Sequence, residues 1–293
     1  MHPPAAPHKA TVAAALFALY VIWGSTFLAI RFALDGFPPL LMAGLRFSLA
    51  GLILYMALRL RGVARPSLQE VRGALPVGVL LCCSNGLVVI AEQWVTSGVT
   101  AVALASTPLW AALVAGLFGR WPHGRDWLGL LVGFCGVLLL QLGADLRTSP
   151  AGAALLLSAS ASWAFGSILS QRVTLPKGLM APATEMICGG AALLLFALLR
   201  GERFAAMPSP RALFAFGYLV LAGSIVAYSA YNYLLAKTRP AVATSYAYVN
   251  PVVAVGLGAL LAGEKVAPAA LGALALILAG VGIVMAQKRM SVG

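Results

Sequence analysis

Three observations predict an all-α membrane protein of ten transmembrane helices, built as a 5+5 inverted-topology repeat. The 293 residues are 61% hydrophobic and 10% charged, with a mean hydropathy of +0.94, a balance that ordinary soluble domains do not carry. Apolar runs near the ~20 residues that a helix needs to cross a bilayer recur from end to end. The second half of the chain repeats the first. Glycine, at 31 residues, is spread through the runs, as suits close helix packing in lipid.

The runs, bounded by charge, Pro or Gly, fall at 11–33, 38–58, 74–93, 98–119, 126–143, 151–171, 179–199, 211–236, 241–262 and 268–287. The first follows Lys9 and resembles a secretory signal. Its apolar stretch continues to Phe32, longer than a signal core, so it reads as a span. The second opens behind Pro38 and closes before the basic Arg59 and Arg61, and the third follows Arg65 and Arg72. Only "EQWVTSG" separates the third from the fourth, which ends at Gly119-Arg120. Arg147 and Pro150 divide the fifth from the sixth, and Arg172 and Lys177 divide the sixth from the seventh. Arg200, Arg203 and Arg211 precede the eighth, Lys237 and Arg239 the ninth, and Lys265 the tenth.

Orientation follows from the basic residues in alternate loops. With both termini cytoplasmic, thirteen Lys and Arg fall on the inside and six on the outside, with Arg46 inside a span. The net charge of +12 is thus explained by loop cations, and nucleic acid is not an expected partner. Cys82, Cys83, Cys135 and Cys188 lie in apolar runs without a CxxC pair, which reads as small core residues rather than metal or disulfide chemistry.

Setting Pro108 over Pro251 aligns "TAVALASTPLWAALVAGLFG" with "TSYAYVNPVVAVGLGALLAG", so that Thr107 falls on Asn250. Leu128-Gly129 and Leu271-Gly272 follow in step, and "WGSTFLAIR" lies over "WAFGSILSQR", placing Trp23 on Trp163. The halves are 1–147 and 148–293. An odd number of spans per half makes the second copy enter from the opposite side, and inverted repeats with substrate at the midplane are a transporter signature.

"WGSTFLAIRFAL" in the first span and "NPVVAVGLGALLAGEKV" in the ninth, with this repeat, resemble the EamA-type branch of the drug/metabolite transporter superfamily. Within it the chain is most similar to YddG-type exporters of aromatic amino acids. The resemblance implies a multi-pass protein of the bacterial inner membrane that exports amino acids or related small metabolites. The family pattern ends each half's fourth helix in Gly-Glu; Gly263-Glu264 keeps it, and Gly119-Arg120 departs from it.

Polar residues at helical spacing mark candidate cavity walls. Trp23, Ser25 and Thr26 stand in the first span, Asn85 in the third, and Thr107 and Trp110 in the fourth. Trp163 and Ser167 stand in the sixth, Tyr228 and Tyr231 in the eighth, and Tyr246 and Asn250 in the ninth. Each stripe alone could serve helix packing or an interfacial belt; six together suggest an amphipathic cavity. Pro108 and Pro251 sit near mid-span and leave the carbonyls of Leu104 and Ala247 without their helical donor. Matched interruptions of this kind point to a transporter's site, and both prolines are candidate hinges. Two intramembrane charges read as structural pairs: Arg46 with Asp35 or Glu92, and Glu185 with Arg172 or Lys177. A proton pathway through Glu185 is the sharper alternative.

The uncharged, polar and aromatic lining predicts a broad-specificity secondary transporter working by alternating access as a facilitator on a small-molecule substrate. A proton-coupled drug or other metabolite exporter, or a channel, is the alternative. The three histidines are His2, His8 and His123, all terminal or in a loop, and no HExxH or GxSxG motif lies in a span. An enzyme is not expected, nor a metal or cofactor. Two halves in one chain already supply the inverted pair, so a monomer is expected.

Overall fold

The computed structural model describes residues 9–91, 93, 100, 103–140, 150–253 and 268–286. All regular secondary structure among them is helical. In chain order the segments are α1 (Lys9–Leu34), α2 (Pro39–Leu60), α3 (Leu68–Ala91), α4 (Ala103–Leu117) and α5 (Gly124–Leu140). They continue as α6 (Pro150–Leu169), α7 (Met180–Leu199), α8 (Pro210–Lys237), α9 (Pro240–Ala243, resuming over 246–253) and α10 (Pro268–Ala286). Six of them (α1, α2, α3, α6, α7 and α8) are long and apolar enough to cross a bilayer, and the others are shorter in their described extent. The expected linker "EQWVTSG" and the Gly263-Glu264 pair lie largely or wholly outside the described residues.

The boundaries have local causes. Pro stands at the first position of α2, α6, α8, α9 and α10, where its missing N–H costs no helical bond. Ser209 caps α8 by accepting from the Ala212 amide at 3.2 Å. Ser67 and Glu70 form a reciprocal box: the Ser67 amide donates to the Glu70 carboxylate at 2.7 Å and the Glu70 amide to the Ser67 hydroxyl at 3.3 Å. That box starts α3 at Leu68, one and a half turns before the apolar run does. Gly62 and Gly119 follow α2 and α4 with φ of 81° and 80°, the left-handed exit that Gly adopts without strain.

Two helix pairs pack most extensively: α2 with α7, and α5 with α10. Under the sequence repeat each pair is a helix and its own counterpart. Glycines set both distances. A Cβ on Gly51 of α2 would lie 2.8 Å from the Ile187 amide of α7, and one on Gly280 of α10 would lie 2.5 Å from the Gly133 amide of α5. Around these pairs α3 packs on α6 and α7, α1 on α8, and α4 on α6.

Three helices are interrupted where they face the centre. α4 breaks at Ser106, immediately before Thr107-Pro108. The Ala103 carbonyl there accepts from the hydroxyls of Ser106 (2.5 Å) and Ser160 (3.0 Å). α9 breaks at Thr244-Ser245, and the helix then runs through Pro251. The middle of α8, Leu219–Val226, is a π-helix, a wider turn that the sequence pattern does not announce.

Candidate functional site

The interruptions converge on a cavity of about 160 Å³ at the centre of the bundle. Its aromatic wall is built around Trp23 of α1 and Trp163 of α6, whose rings meet edge to face with centroids 5.4 Å apart. Tyr246 of α9 packs edge-on to Trp23 at 4.7 Å, within the range that favours aromatic pairs. Trp23 Nε1 donates to the Gly223 carbonyl of the π-helix at 3.0 Å. Trp163 Nε1 donates to the Tyr231 hydroxyl at 2.9 Å, which also pairs with Ser167. Each ring is therefore fixed by a hydrogen bond from its polar edge.

A polar strip faces the aromatics. Asn85, Thr107 and Asn250 line the cavity, and the Oδ1 atoms of both asparagines are buried without a hydrogen-bond partner. Thr26 also lines it, its hydroxyl donating to the Trp23 carbonyl at 2.7 Å. Leu104 and Ala247, the residues four before Pro108 and Pro251, belong to the same wall, together with Pro251 itself.

Arg46 also lines this cavity, and here the expected charge pairs are corrected. The side chain is 3% exposed. Its Nε donates to the Ser224 hydroxyl at 2.8 Å, and its guanidinium lies 4.9 Å from the Phe47 ring centroid. No ion pair joins it to Asp35; Glu92 lies outside the described residues. Glu185 is fully buried on α7 and accepts from the Tyr228 hydroxyl at 3.0 Å. Arg172 instead donates to the Phe118 carbonyl at 2.6 Å, and no ion pair joins Glu185 to Lys177. In the fold Arg46 points into the bundle, while Arg172 is exposed at its rim.

Other expected wall residues sit behind the wall or off it. Tyr231 and Ser167 form the buried layer that holds Trp163. Ser25 pairs with the Tyr218 hydroxyl at 2.6 Å, away from the cavity, and Trp110 is half-buried outside it. Pro108 is buried but does not line the cavity. The wall also carries Thr100, on the same polar face as Thr107, and Ser84 and Gly223, which were not among the expected site residues. Ser84 donates to the Ala159 carbonyl at 2.6 Å and so ties α3 to α6.

From mid-helix residues such as Trp23 and Ser160 the lining extends towards one end of the bundle. Ile30 and Val88 stand near the C-terminal ends of α1 and α3, and Arg46 and Leu104 in the first halves of α2 and α4. Towards the other side, Tyr20 pairs with Ser245 at 2.7 Å and the Tyr248 hydroxyl donates to the Leu130 carbonyl at 2.9 Å. Beyond them, Arg239 binds Asp126 at 2.5 Å and also donates to the Val284 carbonyl. These contacts close the bundle among the described residues at the end where α1 begins.

A model of the EamA-like transporter family matches the chain twice, over residues 11–142 and 150–286. The "Uncharacterized inner membrane transporter YedA" of Escherichia coli strain K12 is 46% identical over 276 residues, covering 94% of this chain and 90% of that one. The "Probable amino-acid metabolite efflux pump" of the same strain is 28% identical over 168 residues, 52% of this chain and 51% of that one. A crystal structure 20% identical in sequence, covering 94% of this chain and 96% of its own, shares the fold with a TM-score of 0.77.

Proposed function

The chain belongs to the EamA-like transporter family of the inner membrane, and from that premise we propose a secondary transporter that exports amino acids or related small metabolites by alternating access. Residues 1–147 and 148–293 are its two five-helix halves, inverted with respect to one another, and ten helices cross the membrane with both termini cytoplasmic. The observation that carries this reading is that both halves supply the wall of one cavity. Leu104 and Ala247 line it together, at the two places where a proline removes a helical donor. Trp23 and Trp163, counterparts under the repeat, meet edge to face in its wall. Substrate would rest against these rings and the strip of Asn85, Thr107 and Asn250.

With the N-terminus cytoplasmic, the cavity lies in the periplasmic half and the Tyr20–Ser245 and Asp126–Arg239 contacts close the cytoplasmic end. Bending of α4 at Ser106-Pro108 and of α9 around Thr244-Ser245 and Pro251 would exchange the open and closed ends. The reading is a monomeric facilitator of broad specificity. Proton-coupled export is the second reading. It is favoured by Glu185, which is fully buried and bonded to the cavity-lining Tyr228; a Glu185→Gln chain whose flux ignores an imposed proton gradient, where the parent responds, supports it.

The test of the site is flux in reconstituted vesicles screened with twenty amino acids, nucleosides and sugar phosphates. Trp163→Ala, Tyr246→Ala and Asn250→Ala combined should remove most of the saturable flux. Parental flux in that triple variant sinks the cavity assignment.

A further inference from the structure

The buried guanidinium has a consequence for what the cavity carries. Arg46 spends one donor, Nε, on Ser224, and among the described residues its two terminal nitrogens have no hydrogen-bond partner. Among the described residues no Asp or Glu lines the cavity, and the one buried acid of the neighbouring helices, Glu185, is held by Tyr228 instead. A buried cation without a counter-ion is costly unless an anion joins it. The free face of a guanidinium is a planar fork matched to a carboxylate, which it binds through two parallel bonds.

Three features hold that fork in place. Ser224, on the π-helix, takes Nε. Phe47 lies under the guanidinium. Gly223 leaves room for it, since a Cβ there would stand 3.0 Å from Nη2. The orphaned Oδ1 atoms of Asn85 and Asn250 belong to the same cavity, and Trp23, Trp163 and Tyr246 offer flat apolar surface beside them.

We infer that Arg46 is the substrate-recognition residue of this transporter and that its substrates are small organic carboxylates with an apolar or aromatic body. This rests on the transporter reading above. The carboxylate is the required group; an ammonium group, as in an amino acid, is accepted by the asparagine oxygens and is dispensable. Phosphate monoesters, with two charges and a bulkier head, are not favoured by a single arginine in an otherwise uncharged wall.

The experiment compares each of the twenty amino acids with its carboxamide as probes in vesicles holding the full chain, and adds 3-phenylpropanoate as an unlabelled competitor. Uptake should be confined to the carboxylates, 3-phenylpropanoate should compete, and Arg46→Gln should lower carboxylate uptake at least about tenfold, the loss expected for a charged hydrogen bond. Arg46→Lys should retain part of it. Quenching of tryptophan fluorescence by the same compounds reads binding directly, and the melting temperature of each variant separates lost recognition from lost fold. If both Arg46 variants fail to fold, Gly223→Ala and Ser224→Ala carry the test, and each should weaken carboxylate binding more than carboxamide binding. Carboxamides carried as well as carboxylates, or a folded Arg46→Gln chain with more than half the parental uptake, overturns the inference and leaves the transporter reading intact. No saturable flux of any compound overturns both.

Discussion

Gly223 has no side chain, and Arg46 and Thr26 fill the space that one would need. Its Cβ would lie 3.0 Å from Nη2 of Arg46 and 3.1 Å from the Thr26 methyl, inside ordinary contact. Gly223→Val should therefore shift the guanidinium and raise the KM for a carried carboxylate by about tenfold, the worth of one weakened charged contact, as read from initial uptake rates. Tyr228→Phe removes the donor to Glu185 and leaves a buried carboxyl group with one bond fewer; the melting temperature should drop by a few degrees, about 2–4 °C for each kcal/mol lost. Much of this wall was legible in the sequence. Trp163, Tyr228, Tyr246 and Asn250 stand at helical spacing with other polar groups, and polar groups at that spacing in a lipid-embedded helix face protein or cavity. Arg46 was not. The other charge of α2, Arg59, stands at its far end, and no polar residue lies three or four positions from Arg46 to fix the phase of its face, so nothing in the sequence distinguished a charge aimed inwards from one aimed at a neighbour. Ser25 and Trp110 were misplaced for the complementary reason. A helix apolar on all sides has no stripe from which to measure a rotation of one residue.

α2 and α7, and α5 and α10, meet through glycines, and this is where the helices are least tolerant of volume. Gly51→Val and Gly280→Val would drive a side chain against backbone nitrogen, and each should destabilise the folded protein by about 1–3 kcal/mol. Gly282→Ala of α10, where a Cβ meets nothing within 4 Å, should be neutral or mildly stabilising, through helix propensity worth roughly 0.5–1 kcal/mol. Thermal unfolding in detergent orders the three. At the closed end, Asp126→Asn weakens the bond to Arg239, which ties the start of α5 to the α8–α9 junction and α10. That variant should label faster with a membrane-permeant thiol reagent at a cysteine introduced in place of Ser245. Among the described residues many helix ends could be read because charge and proline bound them, whereas α3 starts earlier than its apolar run, at the Ser67–Glu70 box. The π-segment of α8 could not, since "LVLAGSIV" holds no proline, and the groups that bond to it, Trp23 at Gly223 and Arg46 at Ser224, come from α1 and α2. The break in α9 also fell earlier than Pro251 suggests, at Thr244-Ser245, where both hydroxyls bond back to carbonyls of the preceding turn.

The two halves share one cavity, and Trp23 and Trp163, 140 positions apart (163 minus 23), touch within it. If the halves are inverted repeats, as proposed above, residues that contact their own counterparts lie near the axis relating them, which is where such a transporter holds substrate. The repeat could be read from aligned prolines and tryptophans, whereas the end at which the bundle closes depends on contacts hundreds of positions apart, such as Tyr20 with Ser245. Trans-stimulated exchange of a carried compound tests the central claim, one site open to each side in turn. Vesicles loaded with unlabelled substrate should take up the labelled compound faster than empty ones, with saturation, and the Trp163→Ala, Tyr246→Ala, Asn250→Ala chain should lose both features. Uptake linear in concentration and indifferent to internal substrate would contradict it.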